Sequence, residues 1–147
     1  MSDTHGLLRP EAIAFLRGSD HIIHGGDIGS AEILDALARI APVTAVRGNN
    51  DTAEWADALQ KIEWLTFDRS TVYVVHDLAQ LDIDPVAAGV RVIVSGHSHK
   101  PAVLHKNGVI YINPGSAGPR RFRLPIAVGE LLVAGDTITP RIVKLGA

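Results

Sequence analysis

The 147-residue chain is 46% hydrophobic and 20% charged, enough apolar sequence for one packed domain and too much for a disordered one. A net charge of −2 and a pI near 6.4 exclude a protein built mainly on a basic nucleic-acid surface, and the lack of cysteine excludes a disulfide framework and any thiolate metal site. No apolar run is long enough to span a bilayer and no basic-then-apolar leader opens the chain, so a cytoplasmic location is expected.

"RPEAIAFLRG" has Pro10 where a helix opens, apolar Ala12, Ile13, Phe15 and Leu16, and Gly18 as a stop, which predicts a short helix. "DHIIHGGD" is a β-branched run ending in glycines and predicts a strand entering a loop. "SAEILDALARI" offers Ser30 as an N-cap, with Ile33, Leu34, Leu37 and Ile40 at helical spacing. "PVTAVRGNND" predicts a second strand with a polar, glycine-bearing end. Strand, helix, strand in that order favours a parallel pair. A helix is expected around residues 53–60. "EWLTFDRS" and "STVYVVHD" predict two strands joined near residues 68–70, and "DPVAAG" a further short helix. "VRVIVSGHSH" predicts a buried strand ending in a glycine–histidine loop. Asn107-Gly108 marks one hairpin and Gly135-Asp136 another, so the C-terminal half is expected to be mostly antiparallel. With no internal repeat or linker, residues 1–147 read as a single domain of mixed α/β (α+β) class.

Four segments share one form, a loop rich in Gly, His, Asp or Asn: "SDTHG", "HGGD", "RGNND" and "VSGHSH". A fifth, "VVHD", ends a strand in histidine. Sites gather at the carboxyl ends of parallel strands, so these loops can converge. Together they offer Asp3, His5, Asp27, Asn49, His76, His97 and His99. His97 and His99 are two apart, which in extended chain turns both imidazoles to one side. A set of oxygen and imidazole donors without sulfur suits Mn, Fe, Zn or Ni. It is too large for one tetrahedral zinc and fits two ions sharing a bridging carboxylate, with Asp27 as the candidate bridge. Two metals held ~3.5–4 Å apart clamp both oxygens of an in-line displacement at phosphorus and acidify a bound water.

The ordered set Asp-x-His, Gly-Asp, Gly-Asn-x-Asp, His and Gly-His-x-His resembles the calcineurin-like metallophosphoesterases. "SDTHG", "HGGDI", "RGNND", "SGHSHKP" and "INPGSAGPR" resemble their small prokaryotic phosphodiesterase branch, over nearly the whole chain. The resemblance implies a β-sandwich of mixed sheets flanked by helices. It implies one metal on Asp3, His5, Asp27 and His99 and another on Asp27, Asn49, His76 and His97. It implies phosphodiester hydrolysis by a metal-bound hydroxide, with manganese first and nickel, iron, zinc, cobalt or magnesium as alternatives. The substrate expected is a small phosphate ester, with no membrane partner and no nucleic acid beyond nucleotides; self-association is left open. Asp27, Asn50 and Asp51 form the expected catalytic set.

Two departures from the family pattern stand out. Many members carry histidine in the third place of Gly-Asn-x-Asp, where Asn50 stands here. An amide hydrogen-bonds a phosphoryl oxygen but cannot protonate a leaving group, so good leaving groups such as aryl or cyclic phosphodiesters are favoured. The hydrophobic first strand that normally delivers Asp-x-His is replaced by Met1 and Ser2, so a fold lacking that strand, or residues upstream of Met1, is expected. Both departures keep an alternative in play, a weak or inactive protein-binding scaffold of the same fold, as in the retromer subunit that resembles this family. Of the remaining residues, His24 is expected to support the ligands from behind, and His21 and His105 to lie on the surface. Asn113 to Ser116 is expected near the substrate, and Arg120, Arg121 and Arg123 as a cationic rim for phosphate.

Overall fold

The computed structural model describes residues 1–146. Its elements are α1 (Pro10–Leu16), β1 (Ile22–His24), α2 (Ala31–Ala38), β2 (Val43–Ala45), β3 (Ile62–Phe67), β4 (Ser70–Val75), β5 (Val90–Val94), β6 (Ala102–Lys106), β7 (Val109–Asn113), β8 (Ala127–Ala134) and β9 (Thr137–Lys144). Among the described residues no helix is long and apolar enough to cross a membrane.

The layers follow from which faces are apolar. A five-stranded sheet, ordered β3-β4-β5-β7-β6, turns Val72, Val74, Val92, Val94, Ile110 and Ile112 inward. They pack against Ile23 of β1 and Leu131, Ile138 and Ile142 of the β8–β9 hairpin. Beyond β1 lies a helical layer, where Ala12 and Leu16 of α1 and Ile33 and Leu37 of α2 pack with Ile22. The sandwich of mixed sheets is therefore as expected, with its helices on one side. The outer face of the five-stranded sheet is covered instead by Leu81 and Ile83.

The parallel pairing of β1 with β2 is present, Ile22 opposite Val43 and His24 opposite Ala45. Both predicted hairpins form, and Asn107 (φ 52°) and Gly108 (φ 78°) adopt the left-handed pair that a tight two-residue turn requires. The mostly antiparallel expectation for the C-terminal half holds for β3–β4, β6–β7 and β8–β9 and is corrected only at β5, which runs parallel to β4 on one side and to β7 on the other. Both neighbours bury β5, which explains its uninterrupted apolar run.

Three local expectations are also corrected. The helix expected over residues 53–60 is a 3-10 segment, Glu54–Ala58, because the chain must extend again for Gln60 to bridge Val46. "DPVAAG" makes one turn rather than a helix: Asp84 accepts from the backbone of Val86 and Ala87, and β5 starts directly after Gly89 (φ 73°). Ser30 stands at the N-cap position of α2 without making a side-chain cap bond.

No strand precedes β1 among the described residues, yet Met1–Asp3 are fully engaged. Gly25 N–H donates to Met1 O (2.9 Å) and Asp3 N–H to Gly26 O (3.0 Å), while Ala117 N–H donates to Ser2 O (3.0 Å) from the other side. Asp3 is thus held by backbone bonds on both flanks and is completely buried.

Candidate metal centre

Each donor stands on a loop directly after one of these ladders. Asp3 and His5 follow the short ladder with Gly25 and Gly26, Asp27 follows β1, Asn49 follows β2, His76 follows β4, and His97 and His99 follow β5. The strands bring them to one end of the sandwich, as Asp3, His5 and His99 in one group and Asp27, His76 and His97 in another. Asn49 joins the second, its Oδ1 3.1 Å from His97 Nδ1.

Asp27 stands between the two groups. Its Oδ2 is 3.2 Å from His76 Nε2 and 3.7 Å from His5 Nε2. His5 Nε2 in turn lies 3.3 Å from His99 Nε2 and 3.8 Å from Asp3 Oδ1, and His99 Nε2 is 3.4 Å from the same oxygen. Two ligands about 2.1 Å from a common ion stand about 3–3.5 Å apart, so these spacings are close to those of a coordination shell.

The tautomers support the same reading. His76 Nδ1–H donates to Gly25 O (2.7 Å), which turns Nε2 toward Asp27 Oδ2, 3.2 Å away, as the nitrogen that would bind an ion. Asp3 Oδ1 is buried with no hydrogen-bond donor, while Oδ2 accepts from Ser2 Oγ (2.8 Å) and His97 N–H (3.1 Å). Imidazole nitrogens and a carboxylate oxygen without a donor, converging in a buried place, suit a cation among them. The donors therefore fit divalent ions.

The charges are set by burial and by these contacts. Burial alone would raise the Asp27 pKa, but hydrogen bonds from His76 and Asn50 outweigh it and hold the carboxyl well below its usual range. Burial lowers His76, yet Asp27 and the Gly25 carbonyl raise it above the ordinary imidazole value. Burial pushes Asp3 up, against the Ser2 hydroxyl and the nearby histidines. His99 is lowered by burial, with Asp3 opposing and the Arg121 guanidinium lowering it further.

Backbone conformation marks the same residues. Asp3, His5, Asp27, His97 and His99 all have positive φ, between 44° and 71°. Such strain in non-glycine residues concentrates where surrounding structure imposes it for function. Glycines make room beside them. A Cβ on Gly48 would overlap Asp27 N and Oδ1, and one on Gly96 would overlap Ser2 Oγ.

The remaining expected residues divide by geometry. Asn50 N–H donates to Asp27 Oδ1 (2.9 Å) and its Nδ2 to Asp27 Oδ2 (3.1 Å), so its amide is turned onto the carboxylate. Asp51, expected in the catalytic set, is buried and accepts from the N–H groups of Ile28 (2.9 Å), Gly29 (3.2 Å) and Gly48 (2.9 Å). That geometry makes it the tie between the Asp27 and Asn49 loops, with no oxygen left for substrate. His24 is fully buried behind the site. Gly26 N–H donates to its Nδ1 (3.1 Å), so Nε2–H donates to Thr4 Oγ1 (2.9 Å), and the Thr4 hydroxyl donates to Ile28 O (2.7 Å). His105 is exposed, but His21 is half-buried, bonded to Thr44 Oγ1 (2.8 Å) and packed on Phe67, because β1 and β2 bring it there.

Sequence reading missed Ser2 and Thr4 as parts of this frame and expected Ser116 near the substrate rather than in the frame. Ser116 Oγ lies 3.1 Å from Asp3 O and 2.7 Å from Pro119 O, which ties the loop carrying Arg120, Arg121 and Arg123 to the first donor. The local signal for Ser2 and Thr4 was their alternation with Asp3 and His5.

The sequence pattern of the calcineurin-like phosphoesterase superfamily domain matches residues 1–143. The chain belongs to that superfamily. The chain is 33% identical to a probable metallophosphoesterase of Methanothermobacter thermautotrophicus, over 100% of the present chain and 91% of the relative. Two solved structures share its fold at lower identity. Vacuolar protein sorting 29 from Cryptosporidium parvum superposes with a TM-score of 0.85 at 19% identity, covering 99% of this chain and 89% of that one. An archaeal phosphodiesterase superposes with a TM-score of 0.74 at 21% identity, covering 97% of both chains.

Proposed function

We propose that this phosphoesterase hydrolyses small phosphodiesters with two divalent cations, manganese first, and that it does so in the cytoplasm. The observation that carries the reading is Asp27 between two groups of inward-facing donors, within reach of His5 on one side and His76 on the other. Asp3, His5, Asp27 and His99 would hold one ion, and Asp27, Asn49, His76 and His97 the other. When bound, such ions neutralise charge on phosphoryl oxygens and acidify water.

The chain's own residues do the rest. Gly25 O fixes the His76 ring with Nε2 inward, and Asn50 keeps the Asp27 carboxylate oriented and anionic. Asn50 supplies no acid, so the departing oxygen leaves without a proton from that position, which favours aryl or cyclic diesters. Arg121, whose charge is felt at His99, would meet a phosphate oxygen as part of a cationic rim. Arg121→Ala should raise KM for an aryl phosphodiester about fivefold and leave kcat nearly unchanged. Steady-state kinetics checks this, and an unaltered KM would return the arginine loop to ordinary solvated surface.

The reading itself is tested on metal-stripped protein. Added Mn²⁺ should restore cleavage of an aryl phosphodiester, with elemental analysis giving two ions per chain. No hydrolysis with any divalent ion would favour the second reading, a protein-binding scaffold. That reading draws on the closeness of fold to vacuolar protein sorting 29 and on Asn50 in the place of the usual histidine.

A further inference from the structure

Beside the second donor group lies a cavity of about 340 Å³. It shares its wall with Asn49 and His76 and continues through Thr52, Lys61, Asp77 and Gln80, and no aliphatic side chain or hydrocarbon ring lines it. Its volume is at the lower end of small-molecule sites, which run from about 300 to 1,000 Å³. A polar wall of that size suits a compact, hydrogen-bonding group rather than an aromatic one.

The charges in the cavity are not equally free. Arg47 also lines it, but its Nε donates to Asp51 O (2.8 Å) and its terminal nitrogen faces Asp57 at 3.9 Å. Asp77 is directed at His97 Nε2, 3.8 Å away. Lys61 has no carboxylate within salt-bridge distance among the described residues. Its backbone is nonetheless fixed: Arg47 N–H donates to Gln60 O (2.8 Å) and β3 begins at Ile62. Lys61 thus brings an exposed ammonium without a salt-bridge carboxylate, on a fixed backbone, to the wall of a polar cavity that adjoins the donors, a combination that suits an anion.

We propose that this cavity holds one arm of the phosphodiester substrate and that Lys61 selects arms bearing a second negative charge. The substrate class is then a diester in which one ester arm is small, hydroxylated and anionic, of hydroxy-acid or sugar-phosphate size. The proposal rests on the phosphodiesterase reading for the position of the phosphorus and extends it to the arm.

Binding and turnover separate the two. Calorimetry on the manganese-loaded protein at constant ionic strength compares 3-phosphoglycerate with glycerol 3-phosphate, which lacks the carboxylate. The expected result is a five- to tenfold tighter Kd for the former, about what one partly desolvated charge pair gives. Lys61→Met should bring the ratio to about one, and Lys61→Arg should preserve it. Equal affinities in the native protein, a ratio that survives Lys61→Met, or no binding of either probe would overturn the proposal. Hydrolysis of an aryl phosphodiester is measured on the same samples. Its loss alongside an intact binding ratio would fault the catalytic reading and leave the cavity assignment standing.

Discussion

Asp27→Asn is expected to disable both halves of the centre at once. One carboxylate oxygen lies 3.2 Å from His76 and 3.7 Å from His5, so each donor group loses the same anionic partner. The substitution conserves volume, so packing survives, but an amide places either a neutral oxygen or an NH₂ donor where the charge was. Metal-assisted charge stabilisation contributes several kcal/mol, and each 1.36 kcal/mol is tenfold in rate, so hydrolysis should fall about a thousandfold or more. Metal content should drop below two ions per chain. Stability should fall modestly with it. Hydrogen bonds from His76 and Asn50 hold the Asp27 carboxyl below its usual range, so its ionised form stabilises the fold at neutral pH, and the relief of like-charge repulsion at Asp3 is the smaller effect. The predicted pattern is therefore lost activity and lost metal with a slightly lowered melting temperature at neutral pH. Full metal occupancy with native turnover in this variant would remove Asp27 from the centre of the mechanism.

Periodicity and turn chemistry made most of the fold legible. The Asn107-Gly108 hairpin, the parallel β1–β2 pair and the Pro10 helix each follow from local rules, and each is present. The errors came where tertiary geometry overrides local preference. Residues 54–58 carry a helical composition, but the bridge of Gln60 to Val46 leaves no length for an α-helix. The direction of β5 depends on two neighbours distant in sequence, and no local signal carries that. Similarly, His5, Asp27, Asn49 and His97 were legible because each sits beside a glycine on a loop. Their division into two groups around one oxygen was implied by family resemblance, since the approach of His5 to His99 spans 94 positions in the chain. Asp51 was the misleading residue. The family pattern Gly-Asn-x-Asp placed it in the catalytic set, and the hydrogen-bond geometry shows its oxygens already engaged by backbone N–H groups.

Asp51→Ala tests that geometry, and it should unmake the site through the backbone rather than through chemistry. The carboxylate satisfies buried N–H groups on Ile28, Gly29 and Gly48, which belong to two loops. Truncation leaves these donors without partners, at about 1–3 kcal/mol for each buried group. Even with partial relaxation, a loss of about 3 kcal/mol is expected, which for a domain of this size lowers the melting temperature by about 10 °C. The consequence for function follows by contact. Gly48 packs directly against Asp27, and the next residue is Asn49, so freeing Gly48 N–H loosens a donor and the bridging carboxylate together. Metal affinity should fall in step with stability. Asp51→Asn keeps one acceptor oxygen and should lie between the native protein and the alanine variant in both measures. Thermal melts paired with metal titrations decide the matter. A catalytic Asp51 would show the opposite signature, native melting and native metal content with turnover lost.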